Sequence, residues 1–190
     1  MTNGRVNQKL RTRTEILRAA IELIRTGRDV TMVEIAKAAL VSEATAYRHF
    51  PDLPSLLAEA MSSEMVGVTL TGAGAAADPV ERIAVATERL LRHVLVYQGA
   101  VRAMIAATIT RPSTARTRPG LRFGLIDEAL APLADTLDLA AFAQLKNDLA
   151  IVVSAEALFS LTDLAGLAPE AAVASAVHTA TTLTRAALPS

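Results

Sequence analysis

The chain has 190 residues, of which 52% are hydrophobic and 20% charged, and its formal net charge is zero. This supply of apolar side chains suffices for a packed core and argues against a largely disordered chain. Cysteine is absent, which excludes disulfides, thiolate zinc sites and a cysteine nucleophile and is typical of the reducing cytoplasm.

Helix-forming residues dominate the composition. Aromatic residues make up only 3% of the chain and tryptophan is absent, so the core must consist mainly of Ala, Leu, Val and Ile. Alanine and leucine are strong helix formers, and we find no alternating apolar and polar pattern typical of strands joined by two-residue turns. The sequence therefore predicts an all-α protein with about nine helices.

The first two helices are predicted from apolar spacing and capping signals. Residues 14–25 carry apolar side chains at helical spacing, and Gly27 follows as a stop signal. Thr31 and Glu34 then form the pattern T-x-x-E of a capping box. Residues 32–39 should therefore form a short second helix.

A third short helix completes a helix-turn-helix pattern. Leu40 and Val41 form a tight break, Ser42 is a favourable N-cap for a helix over residues 43–50, and Pro51 ends that helix. Two short helices joined in this way are typical of a DNA-binding motif whose second helix lies in the major groove. The outer side of this helix is polar, which suits contacts with phosphates and bases.

Six further helices follow, and Pro54, Pro79 and Pro169 mark the starts of three of them. They are predicted over residues 54–65, 79–97, 101–110, 121–135, 139–164 and 169–188. Gly67, Gly72 and Gly74 should fray the end of the fourth helix, and the segment 111–120 is the clearest loop in the chain.

Positive charge is concentrated at one end of the chain. Residues 1–50 contain nine Lys or Arg and five acids, an excess of four positive charges, and the rest of the chain carries the opposite excess. Such asymmetry suggests that one end touches a polyanion. We expect a three-helix DNA-binding domain over residues 1–53 and a larger helical domain over residues 54–190.

Residues 10–62 resemble the DNA-binding domain of the TetR family of transcriptional regulators from end to end. The resemblance rests on four elements in order: ILRAA at 16–20, T-x-x-E-I-A at 31–36, VS-x-A-T-x-Y-R-H-F at 41–50 and S-L-L at 55–57. No single element is specific, but the ordered set is. It implies a homodimeric regulator of helices that binds double-stranded DNA and is controlled by a small molecule through its C-terminal ligand-binding and dimerisation domain.

The resemblance also implies which residues contact DNA. Most of them lie on the third helix, and the others cap or line the second. They are Thr31, Lys37, Ser42, Ala44, Thr45, Tyr47, Arg48 and His49. Taken alone, Tyr47 and His49 would more often belong to a solvated helix face, but the complete motif favours DNA contact. Glu43 would repel phosphate, so it is expected to read a cytosine or to point to solvent.

Two positions depart from the family pattern. Leu40 stands where the turn normally has glycine, so either the backbone there is not left-handed or some strain is tolerated. Leu53 stands where a lysine is common near the start of the fourth helix, which removes one expected phosphate contact. DNA binding is therefore expected to be weaker or to depend more on Arg11, Arg13 and Arg48.

The second domain has little sequence signature, as the ligand-binding part of this family normally does. Its polar residues with mostly apolar neighbours are candidates for effector contacts, because a buried polar group needs a partner. These candidates are His93, Tyr97, Arg102, Arg122, Asp127, Asn147 and Glu156. For each residue taken singly, an internal salt bridge or exposure at the surface is the alternative.

The last two predicted helices carry stripes of small and apolar residues. These residues are Ala150, Val153, Ala157 and Leu161 on one helix and Ala172, Ala176, Ala180 and Leu183 on the other. Such stripes form either the core or a dimer face. Alanine allows close approach, so we favour a dimer face, in which two helices from each protomer form a four-helix bundle.

The sequence therefore predicts a TetR-like regulator, acting as a repressor, that binds a palindromic operator as a homodimer and is released by a small, mostly apolar effector. One alternative is an enzyme or cofactor carrier built on a helical bundle, and another is a DNA-binding dimer regulated by a protein partner. An enzyme needs clustered titratable groups, whereas this chain spreads its acids and histidines thinly. We expect no catalysis and no cofactor.

Neither a metal site nor a membrane segment is predicted. His93 and His178 lie on different helices without the spacing of metal ligands. The longest uncharged runs are too short to span a bilayer, and the basic start has no apolar stretch behind it like that of a signal peptide. The expected location is the cytoplasm.

Overall fold

The computed structural model describes residues 3–64, 70, 78–112 and 120–188. Within these ranges the chain forms helices and no strand, so the all-α prediction is confirmed. The α-helices are α1 (Asn3–Ile24), α2 (Met32–Ala38), α3 (Glu43–His49), α4 (Leu53–Glu64), α5 (Pro79–Val96), α6 (Gln98–Thr110), α7 (Leu121–Leu130), α8 (Leu139–Val152), α9 (Ala155–Phe159) and α10 (Pro169–Ala187). A 3-10 turn follows α7, and a π-helical turn follows α9.

The chain divides into two compact units. The first contains Met1–Val66 and Val96–Pro119, and the second contains Gly67–Leu95 and Gly120–Ser190. α4 and α6 thus belong to the same unit as α1, α2 and α3. The boundary predicted between residues 53 and 54 stays a prediction.

The core of the first unit joins α1 to the three helices that follow it. Its fully buried side chains recur every three to four residues along each helix, which places them on one helical face, the inner one. They are Ile16, Ala20 and Ile24 of α1, Ile35 and Ala36 of α2, Ala46 of α3, Phe50, and Leu56, Leu57 and Met61 of α4. Burial of these apolar side chains fixes the short helices α2 and α3 in place.

α1 begins eleven residues before the predicted start at Thr14. The sequence suggested a start there because the apolar side chains at helical spacing begin at Ile16. In the structure the Thr14 hydroxyl instead donates to the carbonyl of Leu10 at 3.0 Å, and the Thr12 hydroxyl donates to that of Gln8 at 3.1 Å. Both hydroxyls are therefore satisfied within a continuing helix.

The helix predicted over residues 139–164 is interrupted. α8 ends at Val152, and the side chain of Ser154 starts α9 by accepting a hydrogen bond from the Ala157 N–H at 3.1 Å. The same hydroxyl donates to the carbonyl of Ile151 at 2.7 Å, so this one serine serves the end of one helix and the start of the next. The helix predicted over residues 121–135 ends early, at Leu130.

The stripes predicted as a dimer face are largely core. Val153, Ala172, Ala176 and Ala180 are buried within the single chain, so they present no surface to a partner. In the second unit, α5, α7, α8 and α10 surround a core that includes Ile83, Leu90, Leu125, Ile126, Leu130, Leu145, Leu149 and Ala180. The core alternative is therefore correct for these four of the eight residues, and Ala150 and Leu183 are half-buried against the same core.

Some predicted features lie outside the described residues. These are Met65, Gly67, Gly72 and Gly74 after α4, and residues 113–119 of the predicted loop. Among the helices that are described, none is both long and apolar enough to cross a membrane.

Candidate nucleic-acid interface

α2 is begun by a complete capping box. The Glu34 N–H donates to the Thr31 hydroxyl at 3.2 Å, and the Thr31 N–H donates to the Glu34 carboxylate at 2.9 Å. The Arg28 guanidinium pairs with the same carboxylate at 2.7 Å. Arg28 and then the backbone of Thr31 lower the pKa of Glu34 to about 2. The predicted role of Thr31 as a helix cap is confirmed, and its backbone is fixed at the edge of the motif.

The turn between α2 and α3 is left-handed at Leu40, where φ is 55°. The Val41 N–H donates to the Ala36 carbonyl at 3.0 Å, and the Leu40 N–H donates to the Lys37 carbonyl at 3.1 Å. This pair of bonds is the Schellman motif, which ordinarily has glycine at the left-handed position. The sequence left open whether the backbone at Leu40 avoids the left-handed conformation or tolerates its strain. The structure shows that it tolerates the strain.

The N-cap of α3 is Ser42, whose hydroxyl accepts a hydrogen bond from the Thr45 N–H at 3.2 Å. Ala46 is fully buried and anchors the inner side of the helix. On the outer side Ala44, Tyr47 and Arg48 are exposed, and 45% of the Tyr47 surface is open to solvent. This arrangement leaves a polar helix face free to enter a groove.

The Thr45 hydroxyl is already engaged within α3. It lies 2.9 Å from the Ser42 hydroxyl and accepts a hydrogen bond from the Arg48 guanidinium at 2.7 Å. Thr45 is half-buried. In this structure its side chain therefore orients Arg48 rather than offering an unbonded hydroxyl.

Arg13 holds three elements together. Its guanidinium donates to the backbone carbonyl of His49 at 3.0 Å, pairs with Glu59 at 2.5 Å and lies 4.1 Å from the centre of the Phe50 ring. α1 is thereby tied to the C-terminal end of α3 and to α4. The sequence suggested Arg13 for phosphate contact, and the structural role escaped prediction because its partners lie 36 to 46 residues away.

His49 is half-buried, unlike Tyr47. Its Nδ1 atom is buried and has no hydrogen-bond partner within the described part of the chain. Burial, and then the positive charges of Lys9, Arg13 and Arg48, lower the pKa of His49. The imidazole at the end of α3 is therefore held in its neutral form more strongly than a free histidine.

Several of the basic residues in the first 50 positions are neutralised by neighbouring acids. Arg18 pairs with Glu15 and Glu22, and Arg25 pairs with Glu64. Arg11 and Lys37, which are also exposed, form no ion pair with another described residue. Asp52 accepts a hydrogen bond from the Ser55 N–H at 2.8 Å and so caps α4, next to the half-buried Leu53.

Behind the helix-turn-helix, the start of α6 lies directly on the loop between α1 and α2. The Gly99 N–H donates to the Gly27 carbonyl at 3.2 Å. Nearby, the Tyr97 hydroxyl donates to the Glu64 carboxylate at 2.9 Å, and the same carboxylate accepts two hydrogen bonds from Arg25 at 2.8 and 3.0 Å. These contacts join α1, α4 and the start of α6 in one cluster.

The seven candidate effector contacts are divided between the two units. Tyr97 and Arg102 lie in the first unit, and the other five lie in the second. Arg122 pairs with Glu156 at 3.2 Å, Asp127 pairs with Lys146 at 2.5 Å, and Asn147 and Asp127 are exposed. His93 and Arg102 are half-buried. Ion pairing and exposure match the alternative given for these residues, so an effector role for them stays a proposal.

No group of three or more His, Cys, Asp or Glu residues that could hold a metal ion occurs among the residues that the structure describes.

Two short capped helices, with the outer side of the second exposed and polar, define the class of helix-turn-helix DNA-binding proteins. Residues 16–60 match the family model for bacterial regulatory proteins of the tetR family. Residues 16–60 are therefore similar to the DNA-binding module of this family of regulators.

A solved structure shares the fold over nearly the whole chain. It is the crystal structure of a TetR transcriptional regulator from Rhodococcus sp. RHA1, with a TM-score of 0.59 and 23% sequence identity. The match covers 92% of this chain and 96% of that chain. A comparison with curated proteins finds no match.

Proposed function

We propose that the protein is a repressor that binds a near-palindromic operator as a homodimer, leaves it when a small, mostly apolar effector binds, and catalyses no reaction. The observation that carries the proposal is α3, which Ser42 caps and the buried Ala46 anchors while its outer side stays exposed. A helix of seven residues with a polar outer face suits insertion into the major groove. The match of residues 16–60 to the TetR family supports this use.

The proposed DNA contacts divide by position. Ala44, Tyr47 and Arg48 lie on the exposed side of α3, where base edges and phosphates are within reach. The caps Thr31 and Ser42 and the exposed Lys37 suit the phosphate backbone. Thr45 and His49 complete the set, the first by orienting Arg48 and the second at the end of the helix.

Dimerisation is proposed through α10 and the apolar side chains near it in sequence. Ala171, Ala174, His178 and Thr182 follow one another at spacings of three and four residues on the exposed side of α10. Ile151 and Leu164 are 72% and 85% exposed. Covering these side chains by a second protomer would remove apolar surface from water, which favours association.

Release by an effector is supported by the organisation of the chain. A second compact unit with its own apolar core accompanies the DNA-binding module, and its sequence has no catalytic motif. An effector acts only if it binds better to the conformation that fits the operator poorly. A coupling free energy of about 1–3 kcal/mol would change DNA affinity roughly 5- to 150-fold.

DNA binding is tested by fluorescence anisotropy against a pool of genomic duplex fragments at physiological salt. We expect selection of one near-palindromic sequence whose half-sites lie about one helical turn, roughly 34–36 Å, or slightly more apart. Equal weak affinity for every duplex would contradict the proposal.

Tyr47→Ala should weaken operator binding by about 1–3 kcal/mol and leave the melting temperature unchanged. The control Phe123→Ala removes a half-exposed aromatic residue from the second unit and should leave operator binding unchanged.

Effector release is tested by a thermal-shift screen of small apolar molecules, followed by operator binding in the presence of each hit. The proposal expects hits that raise the melting temperature and lower operator affinity. Hits that stabilise the protein without changing operator affinity would contradict release by that route. Loss of operator affinity on adding a cognate protein, with no small-molecule hit, would favour the alternative of a protein partner.

A further inference from the structure

The first turns of α1 lie outside the segment that matches the family model and carry only positive charge. The matched segment begins at residue 16, whereas α1 begins at Asn3. The first 14 residues contain four Lys or Arg and no acid. Lys9 is exposed in this segment and has no ion-pair partner within the described part of the chain. Its charge is therefore available to an external anion.

Helical geometry places Lys9 on the side of α1 that faces the helix-turn-helix. Lys9, Arg13, Ile16 and Ala20 follow one another at spacings of four, three and four residues, which puts them along one face. Ile16 and Ala20 are fully buried in the core of the first unit, and Arg13 donates to the carbonyl of His49. Lys9 lies one turn beyond Arg13 on this face, which is about 6 Å along the axis.

The electrostatics agree with this position. The charge of Lys9 is one of the causes, after burial, that lower the pKa of His49, so Lys9 acts on the C-terminal end of α3. Arg13, beside it, is paired with Glu59. The positive charge of Lys9 at this end of α3 is not offset in that way.

We propose that Lys9 binds a phosphate of the operator backbone next to the bases that α3 reads, so that the N-terminal turns of α1 form a second element of the DNA interface. This inference rests on the proposed DNA-binding function. The occupant is a nucleic-acid phosphate because the segment combines an exposed, unneutralised ammonium group with a position beside the proposed groove-binding helix. A phosphate contact of this kind positions the protein on DNA without reading its sequence.

The test measures the dissociation constant for the operator and for an unrelated duplex over a range of salt concentrations. The variants are Lys9→Gln, Lys9→Arg and, as a control, Arg18→Gln, which removes the same charge from the opposite side of α1, where Glu15 and Glu22 already neutralise it. Lys9→Gln should reduce the slope of log affinity against log salt by about 1 per protomer and weaken both duplexes alike. Lys9→Arg and Arg18→Gln should keep the slope of the unaltered protein.

Two results would overturn the inference while leaving the proposed function intact. The slope for Lys9→Gln would match that of the unaltered protein, or Arg18→Gln would reduce the slope as much as Lys9→Gln does, which would indicate a general charge effect. A failure of the proposed function is recognised separately, because the unaltered protein would then show no preference for any duplex. Equal melting temperatures are expected for all variants, since Lys9 and Arg18 are both exposed.

Discussion

Leu40 combines a left-handed backbone with an almost fully exposed side chain. Its φ is 55°, and 93% of its surface is open to solvent. For a residue with a Cβ atom, this conformation costs about 1–2 kcal/mol, and here no burial of the side chain offsets that cost. The strain belongs to the turn that sets the direction of α3 relative to α2.

Leu40→Gly should therefore stabilise the protein. The relief of backbone strain exceeds the entropy that glycine adds to the unfolded chain, which is about 0.4–1 kcal/mol. We expect the free energy of unfolding to rise by roughly 0.5–1 kcal/mol, the difference between these two effects, measured by urea denaturation. Leu40→Ala keeps the Cβ atom and should give no such gain. A glycine variant no more stable than the alanine variant would show that the turn is not strained.

The lowered pKa of His49 predicts that pH has opposite effects on protein stability and on DNA binding. Burial and then neighbouring positive charges lower its pKa in the folded protein, whereas in the unfolded chain the pKa is ordinary, about 6.5. The unfolded chain thus binds the proton more readily. The stability that the neutral imidazole contributes is complete above about pH 6.5 and is lost as pH falls through the lower folded-state pKa.

Melting temperatures between pH 7 and pH 5 measure the first effect. The fall on acidification should be smaller in His49→Gln, which cannot titrate, than in the unaltered protein. DNA binding should show the reverse trend, because a nearby phosphate favours the imidazolium form. Operator affinity that is independent of pH over this range would place His49 away from phosphate.

At the scale of helices, local signals predicted the helix-turn-helix well. The boundaries of α2 and α3 agree with prediction to within one residue because Thr31, Ser42 and Pro51 act through neighbours in sequence. The start of α1 and the break at Ser154 were missed. Thr14 and Ser154 can each cap a helix or bond back to an earlier carbonyl, and the choice depends on packing that sequence spacing does not reveal.

The contact between α6 and the loop before α2 has no room for a side chain. A Cβ atom at Gly99 would lie 2.2 Å from the carbonyl oxygen of Arg28, which is backbone and cannot rotate away. Gly27 opposite has a φ of 72°, and a Cβ atom there would lie 3.1 Å from the carbonyl oxygen of Val96. The sequence suggested only that Gly27 stops α1, and nothing local marked Gly99.

Gly99→Ala should force these two segments apart. The overlap is of the kind that costs about 1–3 kcal/mol when extra atoms enter a well-packed interior, so the free energy of unfolding should fall by that amount. The matched control is Gly124→Ala in α7, where a Cβ atom meets nothing within 4 Å. Alanine there should instead stabilise the helix by roughly 0.5–1 kcal/mol. Equal stability of both variants would mean that the Gly99 contact is not tight in solution.

At the scale of the whole molecule, function depends on what the single chain leaves exposed. The predicted dimer stripes proved to be mostly core because alanine at helical spacing suits both environments, and only the packed structure distinguishes them. The exposed side of α10 is a different stripe, and residues 171–184 contain no Asp, Glu, Lys or Arg. This uncharged surface is the proposed dimer face.

Ala174→Glu tests that surface and its link to DNA binding together. Ala174 is exposed within the chain, so the carboxylate should not unfold the protomer, but in a dimer it would be buried without a partner. We expect a monomer by analytical ultracentrifugation. We also expect about a 10²- to 10⁴-fold loss of operator affinity, because each half-site is then bound without the other. Ala134→Glu, the same change at an exposed turn after α7, should remain dimeric with full affinity. A dimeric Ala174→Glu protein with unchanged affinity would remove α10 from the interface, whereas a monomer that keeps full affinity would show that two linked half-sites are not required.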